Sequence, residues 1–172
     1  MKFQDIPKFT GWGNYQVDIG ICYLLTVLDN YKQDYKLDMD PDFQRAHVWT
    51  EAQQIKFLEF FFKGGKTGRQ ILFNCPGFTR GRLGHMVLVD GKQRLEAFRR
   101  FLTNEIRIFG SLYSEFEDKI NHMVTMRFFV NDLKTRKEVL QWYVDLNAGG
   151  TVHTEAEIGK VRKLLVLENK KK

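Results

Sequence analysis

Apolar residues along the chain recur in two spacings, one typical of amphipathic helices and the other of buried strands. Helical spacing, or a long apolar run, predicts helices over 19–28, 51–63, 92–102 and 135–146, and one more after 154. Alternating or short apolar runs predict strands over 35–39, 70–74, 85–89 and 124–130, and a short one near 106. Strands and helices are therefore interspersed along most of the chain.

Three of the predicted helices begin with a capping box, in which a threonine is followed three positions later by glutamine or glutamate. The pairs are Thr50 with Gln53, Thr135 with Glu138, and Thr154 with Glu157. Each pair satisfies amide groups that the first helical turn leaves without partners. The boxes fix where these helices start more firmly than apolar spacing does.

A length of 172 residues suits one domain with its own core. No repeat, low-complexity segment or linker divides the chain, so we expect a single domain over 1–172 that ends in a short basic tail, 168–172. No apolar run approaches the roughly 20 residues of a membrane helix, and the first residues do not resemble a signal peptide. Cys22 and Cys75 lie far apart, which favours a reduced, cytoplasmic protein, in the host cytoplasm if a virus encodes it.

The formal net charge of +6 favours partners that carry phosphate, and nucleic acid is the natural class. Five of the cations lie in or beside two glycine-containing connections that flank the strand predicted over 70–74. They are Lys63, Lys66, Arg69, Arg80 and Arg82. Flexible, glycine-flanked cations are better suited to phosphates than to the ordered reading of base edges. We therefore predict that these five residues contact the DNA backbone.

The segment Asp90-Gly91-Lys92-Gln93-Arg94 carries the most chemical information in the chain. It joins a predicted buried strand to a predicted helix, and a glycine at such a turn lets backbone approach a ligand. The start of a helix favours anions, and two cations and an amide add to that preference. The alternative is structural: Asp-Gly is common at turns, and Arg94 could simply pair with Asp90.

Other candidate chemistries fail on spacing. The run Gly64-Gly65-Lys66-Thr67-Gly68 lacks the first glycine of an ATPase phosphate loop and follows a helix instead of a strand. The four histidines are scattered without paired ligand spacing, so we predict no metal site built by the protein alone. Neither cysteine has a histidine partner in sequence, which leaves a thiol nucleophile unsupported.

Three segments in a fixed order resemble motifs of the ParB/sulfiredoxin-like superfamily. They are Phe43-Gln44-Arg45, Asp90-Gly91-Lys92-Gln93-Arg94, and Asn147-Ala148-Gly149-Gly150-Thr151. Within that superfamily, the order is most similar to the branch found as the S part of GmrSD modification-dependent restriction enzymes and in phosphorothioate-sensing SspE proteins. The resemblance spans a core of about 15–160.

The resemblance implies a compact α+β domain, in which a small mixed sheet packs with several helices. It implies a pocket for a nucleoside triphosphate with Mg²⁺, whose hydrolysis is coupled to the recognition or cleavage of DNA. By motif position, the catalytic residues are Asp90, Gln93 and Arg94. The nucleotide-binding residues are Gln44, Arg45, Gly91, Lys92, Asn147, Gly150 and Thr151.

Lys92 departs from the family pattern, which usually has glutamine at this position. The lysine either strengthens phosphate binding or removes a water-positioning role. Larger family members continue into a helical region and a nuclease domain, so a separate nuclease or helical effector subunit is an expected partner. Two readings stand beside the enzyme: a non-catalytic module that binds nucleic acid or protein, and a phage-encoded inhibitor or decoy of a defence enzyme.

Overall fold

A mixed sheet of four strands forms the centre of the molecule, with helices on both of its faces. The computed structural model describes residues 2–6, 15–44, 49–81, 84–148 and 155–169. The strands in this part of the chain are β1 (Tyr15–Gly20), β2 (Gln70–Asn74), β3 (Val87–Asp90) and β4 (Thr125–Asn131). The α-helices are α1 (Leu24–Tyr35), α2 (Glu51–Phe62), α3 (Lys92–Leu102), α4 (Arg136–Ala148) and α5 (Glu155–Asn169). This is an α+β fold, as the resemblance implies.

The strand order in the sheet is β1-β4-β2-β3. The central pair, β2 and β4, is parallel, whereas β1 and β3 run antiparallel to the strands beside them. The register pairs Leu72 of β2 with Asp90 at the end of β3. The end of β3 therefore lies near the start of β2, and Asn74 marks the opposite end of the sheet.

Each face of the sheet has its own set of helices. One face packs against α1, α2 and α3, and its fully buried residues include Ile71, Phe73, Phe128, Leu58 and Phe98. The other face packs against α4 and α5 through Val89 and Leu140. Phe43, from the connection between α1 and α2, packs there too. Side chains alternate between the faces because successive residues of a strand point in opposite directions. The Asp90–Arg94 segment lies where the chain leaves β3 and enters α3, in the layer of α1, α2 and α3.

The sequence predicted α2, β2, α3 and β4 to within a residue or two at each end. The capping box of α2 is confirmed: Thr50 Oγ1 accepts a hydrogen bond from Gln53 N, and Thr50 N donates to the Gln53 amide oxygen. The box of α4 is confirmed by the same pair of bonds between Thr135 and Glu138. The predicted box at Thr154 lies outside the described residues.

Three predictions of elements were wrong. The apolar run over 19–28 belongs to the end of β1, a 3-10 turn and the start of α1, because Gly20 separates the strand from the helix. Residues 35–39 form no strand, since Lys36 ends α1 in the left-handed conformation at φ 50°, and Asp38 makes a single bridge to Val87. Near Ile106 the chain forms a turn closed between Ile108 and Ser111.

No helix in the described part of the chain is both long and apolar enough to cross a membrane.

Candidate functional site

The turn from β3 to α3 admits glycine alone at position 91. Gly91 has φ 109°, a value that side chains with a Cβ rarely adopt, and it directly precedes the first helical residue, Lys92. A Cβ atom at this position would lie 2.4 Å from Cδ1 of Ile71, which is fully buried in β2. The backbone of the turn therefore packs directly on the neighbouring strand.

The start of α3 differs from the starts of α2 and α4. Gly91 offers no side chain, and within the described residues no side-chain hydrogen bond caps α3. Its first turn also contains no acidic residue, whereas α2 has Glu51 and α4 has Glu138 there. No side chain within α3 therefore caps or neutralises the positive end of its dipole, and the carboxylate of Asp90, just before the helix, is paired with Arg94. An anionic ligand would be favoured here for that reason.

Asp90 and Arg94 form an ion pair across this turn. Nη2 of Arg94 lies 2.5 Å from Oδ2 of Asp90, and the side chains are 19% and 47% exposed, respectively. Within the described residues Arg94 pairs with Asp90 alone, so the guanidinium group has further N–H groups that can donate. An ion pair with this much contact with solvent contributes about 1 kcal/mol or less to stability. The Asp90–Arg94 pair, offered from sequence as the structural alternative, is therefore present, and it is weak enough for a bound ligand to displace.

Lys92 lies on a different side of α3 from Arg94. Residues two positions apart in an α-helix point about 200° apart around its axis. The Lys92 ammonium group pairs with Oδ1 of Asp40, a carboxylate that is 73% exposed. Both residues border a groove of about 720 Å³ between α1 and α3, whose floor includes Leu28 and Leu95. The two cations of the motif therefore face different surroundings.

Gln44 and Gln93 are buried and hold the chain on either side of residues 45–48. The side-chain amide of Gln44 donates to the carbonyl oxygens of Leu88, at 3.0 Å, and Val89, at 2.7 Å, in β3. The Gln93 amide oxygen accepts a hydrogen bond from Trp49 N at 3.0 Å. Their exposed fractions are only 9% and 7%. Both amides bond to backbone beside the turn, which is the arrangement expected of positioning residues.

The connection between α2 and β2 approaches Arg94. A Cβ atom placed on Gly68 would lie 3.8 Å from Cδ of Arg94. Lys66, two positions earlier, is exposed. The structure therefore brings the predicted nucleotide motif and one of the two predicted DNA-binding connections together, at the end of the sheet where β2 begins.

Arg69, in the same connection, is bound by the protein itself. Its guanidinium group donates to the carbonyl oxygens of Gly65, Phe61 and Thr125 at 2.6, 2.9 and 3.1 Å. It also lies 3.9 Å from the centre of the Phe61 ring. These contacts join the end of α2 to the start of β4. The contact with DNA that the sequence suggests for Arg69 stays a prediction.

The remaining predicted residues are spread over the molecule. Lys63 is exposed and lies 5.3 Å from the centre of the Phe109 ring. Arg80 is exposed in a 3-10 turn that follows β2. At about 3.3 Å per residue, the end of β2 that it follows lies about 13 Å from the start of that strand. Asn147 donates to Tyr143 O at 2.6 Å within α4, and the Tyr143 ring packs on Phe43.

The residues Arg45, Arg82, Gly150 and Thr151 lie outside the described residues. Their predicted roles stay predictions. Asp40 and Gly68, by contrast, were not among the predicted site residues. Asp40 lies 52 positions from Lys92, and no local pattern in the sequence signals a pairing over that distance.

Neither metal ligation by the protein alone nor nucleophilic chemistry at the buried Cys75 thiol finds support among the described residues. They contain no group of three or more histidine, cysteine, aspartate or glutamate side chains that could hold a metal ion. Mg²⁺ is commonly held by one or two carboxylates together with substrate phosphates, and the half-exposed Asp90 carboxylate fits one such ligand. Burial raises the pKa of the Cys75 thiol to about 11, so this thiol is protonated and a poor nucleophile at neutral pH.

Comparison with protein families gives a match over residues 24–123 to the family described as the N-terminal domain of the GmrSD restriction endonuclease. The match contains α1, α2, β2, β3 and α3, and thus the whole turn with Asp90, Gly91 and Arg94. No curated protein and no solved structure matches the chain. The matched region is more than half of the sequence and contains two of the three motifs on which the resemblance rests, Phe43–Arg45 and Asp90–Arg94. The chain therefore belongs to the GmrSD restriction endonuclease N-terminal domain family.

Proposed function

We propose that this chain is a nucleotide-binding, DNA-directed module of a restriction or phage-defence system. The observation that carries the proposal is the start of α3 at Gly91, where no side chain of the described residues caps the helix and Arg94 lies beside it. The triphosphate lies at this helix start, where the dipole and the Arg94 guanidinium both favour negative charge. A bidentate contact from Arg94 to phosphate replaces part of its weak pairing with Asp90.

Asp90 has two roles in this proposal. It orients Arg94 before the nucleotide arrives, through the ion pair in the structure. With a triphosphate bound, the Asp90 carboxylate would be the protein's oxygen ligand for an accompanying Mg²⁺. Gln44 and Gln93 hold β3 and the first turn of α3 in position, and their contacts with backbone support that role.

In this proposal, the connection between α2 and β2 makes the main contact with DNA. Lys66 is exposed there, and Gly68 adjoins Arg94, so phosphates of a DNA strand and of the nucleotide lie on one side of the molecule. Lys63 extends this surface, whereas Arg80 lies beyond the other end of β2. Each phosphate that these cations contact would add about −0.9 to the log–log salt slope of binding, so the slope reports how many of them take part. Cleavage is supplied by a separate nuclease or helical effector subunit.

A second candidate, binding without hydrolysis, is favoured by Lys92. The family usually has glutamine at this position, and here the ammonium group pairs with Asp40, on a different side of α3 from Arg94. The side chain at position 92 is then directed away from the triphosphate and does not position water there. The nucleotide in this case acts as a ligand that reports or stabilises one state of the module.

The test is a calorimetric titration of the purified protein with each common nucleoside triphosphate in the presence of magnesium, followed by an assay of phosphate release. Binding with release supports the hydrolase, and binding without release supports the second candidate. Asp90→Asn should abolish any release while the protein stays folded, because Asp90 is half-exposed and its ion pair is weak. Absence of binding at millimolar nucleotide contradicts the nucleotide-binding part of the proposal.

A further inference from the structure

A pocket of about 220 Å³ opens beside the C-terminal end of α3. Five aromatic side chains line it: Phe62, Phe101, Phe109, Tyr113 and Phe116. Phe101 lies nine residues after Lys92, which is about 14 Å along a helix that rises 1.5 Å per residue. The pocket is therefore separate from the Asp90–Arg94 turn but joined to it by α3.

The rings stand as walls around the pocket. Phe101 is buried, and it packs edge-on against Phe116, with their planes at 89°, and at 67° against Tyr113. Phe109 and Phe116 are 48% and 38% exposed, so they form the mouth, whereas Phe101 and Ile108 form the floor. Flat apolar surfaces at steep angles to one another suit a flat ring that inserts between them.

Phe109 holds a conformation that phenylalanine rarely adopts. Its φ is 50°, and Gly110 follows with φ 83°, in the turn closed between Ile108 and Ser111. Two consecutive residues with positive φ are typical of turns that prefer asparagine or glycine. A bulky residue at such a position signals a functional requirement or strain.

Two contacts keep the Phe109 ring at the mouth of the pocket. The Glu59 carboxylate accepts a hydrogen bond from Phe109 N at 2.8 Å, and the Lys63 ammonium group lies 5.3 Å from the ring centre. Glu59 lies in the last turn of α2, and Lys63 is the residue that ends this helix. The protein thus maintains an unfavourable backbone conformation and leaves the ring half-exposed.

We infer that this pocket binds one unpaired nucleobase of a DNA strand, an inference that rests on the DNA-directed part of the proposed function. Pockets for drug-sized ligands measure about 300–1,000 Å³, so about 220 Å³ suits a single ring system and excludes a peptide helix. Aromatic side chains bind unpaired bases by stacking, whatever the base. Asp118 and Asn121 at the rim offer polar groups to a base edge, and Lys63 and Lys119 lie beside it for the flanking phosphates.

The inference is tested with two single-stranded DNA oligonucleotides of equal length, one intact and one with abasic sites at its central positions. Both carry the same phosphates, so the difference in their affinities isolates the contribution of the bases. The wild-type protein should bind the intact strand about tenfold more tightly or better, given the usual contribution of one stacked base. Binding is measured without nucleotide, and any contact of the Asp90–Arg94 turn with DNA phosphate is common to both strands and cancels in their comparison.

Phe109→Gly is the decisive variant. Glycine adopts φ 50° without strain and removes only a half-exposed ring, so the protein should stay folded, as a thermal melt will confirm. The preference for the intact strand should then fall to about twofold or less, whereas Phe109→Trp, which keeps an aromatic face, should retain it. An unchanged preference in Phe109→Gly would overturn the inference.

The outcomes separate this inference from the proposed function. Equal binding of the intact and abasic strands removes the nucleobase pocket and leaves DNA binding in place. Binding of neither strand removes the DNA-directed part of the proposed function and the inference with it. Displacement of the intact strand by an equimolar free deoxynucleoside monophosphate would assign the pocket to a free nucleotide and contradict the inference.

Discussion

Arg69 and Arg94 come from two neighbouring regions of the molecule, and their surroundings differ sharply. Arg69, between α2 and β2, donates to three backbone carbonyl groups and lies on the Phe61 ring. Arg94, in the first turn of α3, pairs with one half-exposed carboxylate. Both follow a glycine-containing turn in a basic segment, and sequence alone assigned both to phosphate. The difference indicates that the first stabilises the fold and the second remains able to bind a ligand.

The largest expected effect comes from Arg69→Ala. It leaves three carbonyl groups without their charged donor, and we expect a loss of about 3 kcal/mol in the free energy of unfolding. Lys66→Ala, at an exposed position in the same connection, should change stability by less than about 0.5 kcal/mol. Denaturant unfolding measures both. Equal effects of the two substitutions would break the contrast on which the comparison rests.

Gly91→Ala should cost about 2 kcal/mol or more, because the added Cβ meets Ile71 and the backbone has a positive φ. Gly64→Ala is the matched control in the Arg69 region. Gly64 also has a positive φ, 89°, but an added Cβ meets nothing within 4 Å. Its expected loss is about 1 kcal/mol, from the backbone alone. If the two losses were equal, close packing of the β3–α3 turn would not be the reason for glycine at position 91.

The α4 capping box extends the comparison to a side chain that bonds to backbone and also titrates. Hydrogen bonds from the Thr135 backbone and hydroxyl and from the Lys134 backbone lower the pKa of Glu138 below its ordinary 4.5. A lowered pKa in the folded state means that this stabilisation is present above pH 4.5 and is lost as the pH falls through the lower folded value.

Glu138→Gln gives α4 the same kind of box as α2, which has Gln53 and no titrating group. Relative to this variant, the wild type should lose up to about 1 kcal/mol between neutral pH and pH values below the lowered pKa. Unfolding midpoints measured across that range check the sign. A constant difference between the two proteins at all pH values would show that the Glu138 charge has no role in the cap.

The smallest effect is expected from Lys92→Gln. Its partner Asp40 is largely exposed, so the loss of the ion pair should change stability by less than about 0.5 kcal/mol. Nucleotide affinity should change by less than about threefold (~0.7 kcal/mol), because Lys92 and Arg94 lie on different sides of α3. A tenfold loss of affinity would place Lys92 at the triphosphate and weaken the contrast between the two cations.

Local features of the sequence predicted local structure well. The Thr50–Gln53 box and the apolar spacing after it fixed α2, and the Asp-Gly turn with the spacing after it fixed α3. The edge strand β1 was missed, although Gln16 and Asp18 alternate with Val17 and Ile19. Its alternation runs directly into the apolar start of α1, so the two elements read as one helix.

The site was harder to predict than the elements that form it. Sequence identified the turn and its ion pair, because residues four positions apart meet on a helix. It did not distinguish Arg69 from Arg94, since Phe61 and Thr125 reach Arg69 only in the folded chain. The aromatic pocket was missed for the same reason. Its walls come from α2, α3 and the segment after α3, and many phenylalanines in a sequence first suggest a core.

The central claim is that Arg94 binds the triphosphate at the start of α3, and calorimetry on two arginine variants tests it most directly. Arg99→Ala is the matched control, because Arg99 lies on the same helix but pairs with Glu96 and Glu105. With magnesium and the best-bound nucleoside triphosphate, Arg94→Ala should lower the affinity about tenfold or more (~1.4 kcal/mol) and Arg99→Ala by less than about twofold. Equal affinities of wild type and Arg94→Ala would contradict the claim.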